Sequence, residues 1–522
     1  MSRRMKRILW LIPAAVMILM LCFLNGTAGR TINADDASEL VLGRLLEEEN
    51  SILSENWYYS TELRLLNTNL VYAFFFRFTD SWHTVRMLSY GLMYALLLLT
   101  AFLYAKADRK AGLTDPLPAC LLVIPTSELY YQIVLKGGFY LPHLTIALGI
   151  IALWERYLHA GKRGSRGLIL GFATALALLS GMGGPRQVLT LFAPILLAAG
   201  WMYFLNKEEN RKGLLFAAAV FLCGAAGYAV NTLILSKIYA FKTWEPAFAF
   251  PTAARTDALV KGFLAVFGYR SGPVSIGNIL ANGICVFWIG LSGLAAVRAF
   301  RKRDEVPAGY VRIAALTCAA LLLFILLYLF TDMYFTDQYF LPVTMLTIPL
   351  LMQFFRNVSW KKSVLWTVVL VLTGGALAGA GIFMAQESGR DANASRREVV
   401  QFLTENDYRQ GYATFWNANI LTELSDGRIE VWIWADNGGA EQGKGWPEDF
   451  ENVDEIYPWL QRRSHDGQHP EGKVFLLMTH AEYETCPWIE YDTDKQIVFE
   501  NAAYRVLGYN SYGEMKELLV GY

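Results

Sequence analysis

Two adjacent carboxylates, Asp35 and Asp36, lie near the start of the stretch Thr31–Leu46 (TINADDASELVLGRLL), directly after an apolar run. A carboxylate short of water and beside a second negative charge has its pKa raised toward the range of a general base. The same residues also suit helix capping. Asp36 as N-cap with Glu39 three residues on would form a capping box, and acids favour the positive end of a helix dipole. Capping accounts for Asp36 better than for Asp35, and Asn caps as well as Asp. Asp35 is therefore the first catalytic candidate, with Asp36 beside it, and Asp36→Asn is expected to be mild.

The other candidates are polar groups at the ends of apolar runs or in the loops between them. Trp57–Arg64 (WYYSTELR) combines Tyr58, Tyr59, Glu62 and Arg64. Its aromatic density suits carbohydrate stacking or a membrane-interface belt, whereas Glu62 with a neighbouring Arg reads equally as a surface ion pair of little energy. Glu128 sits beside Ser127 and after Pro125 in the apolar run Leu117–Leu135, where a carboxylate needs a partner or a water-filled cavity. Arg186 follows Gly183-Gly184-Pro185; glycines allow close backbone approach, and a guanidinium grips phosphate through two N–H groups. A snorkelling anchor is the alternative for Arg186. Lys136, Arg255 and Arg270 compete for the same phosphate. The six histidines are scattered; His465 and His469 lie in a turn with no third ligand, and none of the six cysteines forms a CxxC pair. No metal site is expected. Phosphate-cradling loops and nucleophile elbows are missing from the sequence, so no nucleotide cofactor is expected either.

These residues need a membrane scaffold to hold them. The 522 residues are 54% hydrophobic and only 18% charged, with mean hydropathy +0.30. Soluble domains carry about 25% charged residues. Formal net charge is zero, so nucleic acid is not an expected partner. About eleven apolar runs are long enough to read as spans: Ile8–Leu24, Met87–Ala105, Leu117–Leu135, Leu141–Leu158, Leu168–Leu179, Leu189–Leu205, Leu214–Ile238, Ile276–Val297, Ile313–Phe330, Tyr339–Phe355 and Val364–Met384. The first follows Arg3, Arg4, Lys6 and Arg7; an uncleaved span is expected in preference to a signal peptide. Basic loops (Lys162/Arg163/Arg166, Lys207/Arg211/Lys212, Arg301/Lys302/Arg303) alternate with loops poor in Lys and Arg. That alternation places the N-terminus in the cytoplasm and the C-terminus outside, with a first outer loop at 25–83. Within that loop Leu42, Leu45 and Leu46 recur at helical spacing and predict an interfacial helix. The expected division is a transmembrane domain over 1–385 and an extracytoplasmic α/β or α+β domain over 386–522. The latter has strands near Gly411–Trp416, Ile429–Trp434, Lys473–Met478 and Tyr504–Leu507, and helices at Arg390–Leu403 and Ser511–Leu519.

With these features in place, the whole chain resembles the integral-membrane glycosyltransferases of the GT-C type, including protein O-mannosyltransferases and aminoarabinose-lipid transferases. The resemblance rests on Asp35-Asp36-Ala37 after the first span and on Tyr339-Phe340-Leu341-Pro342 opening a late one. Gln338 stands where relatives often have Arg. The resemblance implies an integral plasma-membrane enzyme that takes a sugar from a polyprenyl-phosphate donor. The acceptor would be a glycan, lipid or protein at the outer face, with Asp35 as base and inversion at the anomeric carbon. A lipid-linked glycan flippase, a surface-polysaccharide polymerase or ligase, and a non-catalytic binding relative are the competing readings. A flippase would favour internal repeats and broken helices.

Overall fold

The computed structural model describes residues 8–107, 112–242, 246–434, 456–485 and 496–520. The architecture is a polytopic helical membrane protein with a small C-terminal sheet domain. Among the described residues nine helices are long and apolar enough to cross a membrane. A tenth crossing arises if the bent pair Glu128–Lys136 and Leu141–His159, which meet at 87°, counts as one span.

Most expected spans appear close to their sequence bounds. The short run Leu168–Leu179 lies inside a full-length helix, Arg163–Gly183. The first helix runs on past Leu24 to Thr31, where extended Ile32 breaks it. The run Leu117–Leu135 is the exception. It is a turn of α-helix over Pro116–Ala119, a 3₁₀ turn over Cys120–Leu122, and then Glu128–Tyr130 leading into the π-helical turn Tyr131–Lys136. Pro116, Pro118 and Pro125 cannot donate to a continuous helical ladder. Residues 119–124 are buried by the surrounding helices, a setting in which irregular backbone is tolerated at membrane depth. Glu128 is accordingly not a mid-span carboxylate. It is an exposed residue in the first turn of a helix capped by Ser127.

The expected helix in the first loop forms over Ala34–Glu48, but it does not lie free at the interface. Eleven of its fifteen residues are buried, including Leu40, Leu42, Leu45 and Leu46. One side packs on the nine-residue helix Thr68–Phe76. Gly43 makes that crossing possible, since a Cβ there would lie 2.5 Å from Tyr72 Cβ. Another side meets the helix Phe415–Leu424 of the C-terminal domain, where Asn419 donates to Ser38 Oγ at 2.7 Å.

Among the described residues the C-terminal domain carries a five-stranded mixed sheet, ordered β2-β1-β3-β5-β4. Its strands are β1 (Gln410–Ala413), β2 (Glu430–Ile433), β3 (Val474–Thr479), β4 (Ile497–Glu500) and β5 (Tyr504–Tyr509). β1 pairs in parallel with β2 and β3, and β5 runs antiparallel to β3 and β4. Phe415–Leu424 is the crossover helix between β1 and β2, as parallel pairing requires. It replaces the end of the strand expected at Gly411–Trp416. β4 was not anticipated.

Candidate active site

The helix Ala34–Glu48 begins one turn earlier than its acids suggest. Asn33 is the N-cap: its side chain accepts from Asp36 N at 2.8 Å, and Asp36 Oδ2 accepts from Asn33 N at 3.2 Å. Asp36 is thus the third residue of the capping box, not the cap, and Glu39 is released for another partner. Asp36 is 1% exposed and forms an ion pair with Lys136 Nζ at 3.0 Å. Lys136 also donates to Thr31 O at 2.6 Å, at the end of the first span. Gly137 leaves room for this pair, because a Cβ there would lie 2.8 Å from Asp36 Oδ1.

Asp35 differs in each respect. It is exposed, and among the described residues its carboxylate has no hydrogen bond or ion pair. The protein nonetheless crowds it, and that loss of water pushes its pKa up to about 6. The charge of Asp36 adds to the shift and Arg64 opposes it. One carboxylate is therefore locked and the other left free, with a proton affinity suited to base chemistry near neutrality.

A string of paired charges runs on from Asp35. Arg64 Nε lies 3.0 Å from Glu39 Oε1, and Arg64 also donates to Ser60 Oγ at 3.2 Å. Burial pushes Glu39 up; Arg64 offsets this in part, while Asp35, Glu62 and Asp36 add to it. Glu62 is not a surface ion pair. It is buried against Arg186, with Nε to Oε1 at 2.8 Å, and His143 lies 3.9 Å away. Burial alone would raise the Glu62 carboxyl, but Arg186, His143 and Arg64 together hold it below its ordinary value. Gly184 adopts φ +145°, where glycine is favoured, and a Cβ there would sit 3.3 Å from Glu62 Cγ. The Gly-Gly-Pro setting of Arg186 therefore admits a loop carboxylate.

Arg186 also stacks over Tyr140, 4.5 Å from the ring centroid. With Glu62, Thr61 and Tyr339 it lines a cavity of about 250 Å³ whose remaining wall is largely apolar, including Phe324 and Pro342. One charged end and a long greasy wall match the two halves of a phosphate-bearing prenyl chain.

The structure thus gathers Asp35, Asp36, Glu62, Arg64, Lys136, Arg186 and Tyr339 at one end of the bundle. The remaining candidates stand elsewhere. Tyr59 is 1% exposed and its hydroxyl accepts from Ser54 N at 2.9 Å. Tyr58 reaches the C-terminal domain, where its hydroxyl donates to Asp466 at 3.0 Å. Arg255 clasps the carbonyls of Tyr328, Thr331 and Met333 at the end of the helix Ala308–Phe330. Arg270 lies over Phe383 and, among the described residues, has no carboxylate partner. It is a cation still free to meet a phosphate.

No protein-family model and no curated protein matches this sequence. Solved structures do. ArnT from Cupriavidus metallidurans in the apo state superposes with a TM-score of 0.59 at 10% identity, over 95% of this chain and 97% of that one. The same protein bound to undecaprenyl phosphate gives 0.58 at 11% identity, with the same coverage. This chain shares its fold with ArnT. ArnT is an aminoarabinose transferase of the GT-C type, so the fold expected from the sequence is the one found. The ArnT-like correspondence extends through both the membrane helices and the C-terminal domain, because nearly all of each chain is aligned.

Proposed function

We propose that this protein is a glycosyltransferase that moves a sugar from a polyprenyl-phosphate carrier to an acceptor hydroxyl. The observation that carries the reading is the free, proton-hungry Asp35 beside a charge string that ends in an amphipathic cavity. That ArnT is found with undecaprenyl phosphate supports the class of carrier. In the proposed step the acceptor oxygen attacks the anomeric carbon while its proton passes to Asp35. The bond from that carbon to the phosphate oxygen breaks, and the lipid phosphate leaves as an anion stabilised by Arg186. A single displacement inverts the anomeric centre. The alternating basic loops support a cytoplasmic N-terminus, with the site and the C-terminal domain on the outer face. The acceptor is a hydroxyl of a glycan, lipid or protein.

The 87° break between Glu128–Lys136 and Leu141–His159 favours a second reading, a flippase for lipid-linked glycans, since transporters build sites from broken helices. One experiment separates the two. Purified protein incubated with labelled polyprenyl-phosphate hexoses and candidate acceptors should yield labelled product in detergent, where no second leaflet exists. Movement of label between liposome leaflets with no transfer would establish the flippase instead.

Arg186 provides a finer check. Arg186→Ala removes a cation from the cavity and also leaves Glu62 buried without its closest partner. A charge-assisted hydrogen bond contributes roughly 1.5–3 kcal/mol, so the KM for lipid donor should rise about 10–100-fold, with partial rescue by Arg186→Lys. Unchanged donor kinetics would transfer the phosphate role to Arg270.

A further inference from the structure

Asp36 and Lys136 are held from below by a buried chain of polar contacts that begins in the C-terminal domain. Glu423, on the helix Phe415–Leu424, receives two hydrogen bonds from Arg86: Nε to Oε1 at 2.8 Å and Nη2 to Oε2 at 2.6 Å. The guanidinium has two further acceptors. Nη2 donates to the backbone carbonyl of Asp36 at 3.0 Å, and Nη1 donates to the Tyr90 hydroxyl at 2.9 Å. The Tyr90 hydroxyl in turn donates to the backbone carbonyl of Lys136. Arg86 is 2% exposed, Tyr90 0% and Glu423 6%. Tyr72 and Tyr90 flank the guanidinium at 5.7 and 5.9 Å.

This geometry has a specific consequence. Arg86 fixes the backbone of Asp36 directly and the backbone of Lys136 through Tyr90, so it sets both ends of the ion pair that locks the start of the Asp35 helix. Arg86 can face those acceptors as a buried cation only with Glu423 opposite it. We propose that Glu423 is a positioning residue for the site, acting through Arg86 and Tyr90, and that the C-terminal domain is thereby required to hold Asp35 in place. Asp35 immediately precedes Asp36 in the chain, and reacting groups displaced by about 1 Å lose on the order of 10²-fold in rate.

The turnover arm of the test rests on the glycosyltransferase reading; the exchange arm does not. Glu423→Gln keeps the shape of the side chain and removes its charge. The full-length variant should lower turnover by about tenfold or more, in line with that positional sensitivity, and leave the KM for lipid donor within about twofold. Hydrogen–deuterium exchange should accelerate over residues 31–37 and 136–138 but not in the helix Ile276–Arg301, which packs on neither of those segments. The double variant Arg86→Met/Glu423→Met removes both charges, so its thermal midpoint should return toward wild type, as replaced buried ion pairs often do. Its turnover and its protection at 31–37 should stay low, because the bonds to Asp36 and Tyr90 are gone. Recovery of both in the double variant would make the pair a fold element only and overturn the proposal, as would wild-type exchange in Glu423→Gln. If the wild-type protein transfers no sugar, the glycosyltransferase reading fails, and exchange alone decides the role of Glu423.

Discussion

Asp35→Asn should reduce turnover by about 10²–10⁴-fold while leaving the affinity for lipid donor nearly unchanged, the usual size of a general acid–base contribution. Asn keeps the shape of the side chain and takes no proton. The substitution should cost little stability, because Asp35 is exposed and has no partner among the described residues. The pH profile provides an independent check. Loss of water to the surrounding protein and the charge of Asp36 raise the Asp35 pKa to about 6. A base works only when deprotonated, so kcat/KM should be flat well above that value and fall tenfold per unit below it. In Asp35→Asn the residual rate should lose this acid limb. Wild-type turnover in Asp35→Asn would remove Asp35 from the chemistry. An acid limb surviving unchanged in a slow variant would mean that another group titrates, with Glu39 the nearest raised carboxyl.

The membrane architecture was legible because a bilayer imposes a simple rule: runs of about twenty apolar residues separated by charged loops. The rule failed at Leu117–Leu135, which is apolar because it is buried by protein and not because it faces lipid. The warning was present in Pro116, Pro118 and Pro125, which apolar periodicity does not weigh. The acidic pair was legible as the opening of a helix, but Asp36 was read as its cap, whereas Asn33 caps it and Asp36 is the third residue of the capping box. Asn33 and Asp36 have similar capping propensity, and local pattern alone could not decide between them. The partner choices were beyond any local signal. Arg86 and Glu423 are separated by 337 positions, and Glu62 finds Arg186 only once the loop folds over the bundle. A charge near the start of the span Trp82–Ala107 was the one available hint, since buried charges in spans demand partners. Placing the start of that span at Met87 put Arg86 just outside it.

The second large effect concerns Asp36, where the structure reverses the expectation drawn from capping alone. If Asp36 were only a cap, Asn would serve equally well. In the folded protein it neutralises Lys136, which is 3% exposed and, among the described residues, has only the Thr31 carbonyl as a further acceptor. Asp36→Asn leaves that ammonium buried without a counter-charge, and breaking a buried pair from one side costs about 3–5 kcal/mol. The variant should therefore unfold at a clearly lower temperature in detergent and lose activity even while folded, because the helix carrying Asp35 is no longer pinned to Lys136. Lys136→Met should show the same pair of defects from the other side. Asp36→Asn/Lys136→Met removes both charges, and its thermal midpoint should lie well above that of Asp36→Asn, since contacting residues are coupled and their effects do not add. Thermal unfolding of the four proteins forms a closed cycle. Additive midpoints, or an Asp36→Asn variant that melts with wild type, would mean that the buried pair does not form and that Asp36 serves only in the capping box with Asn33.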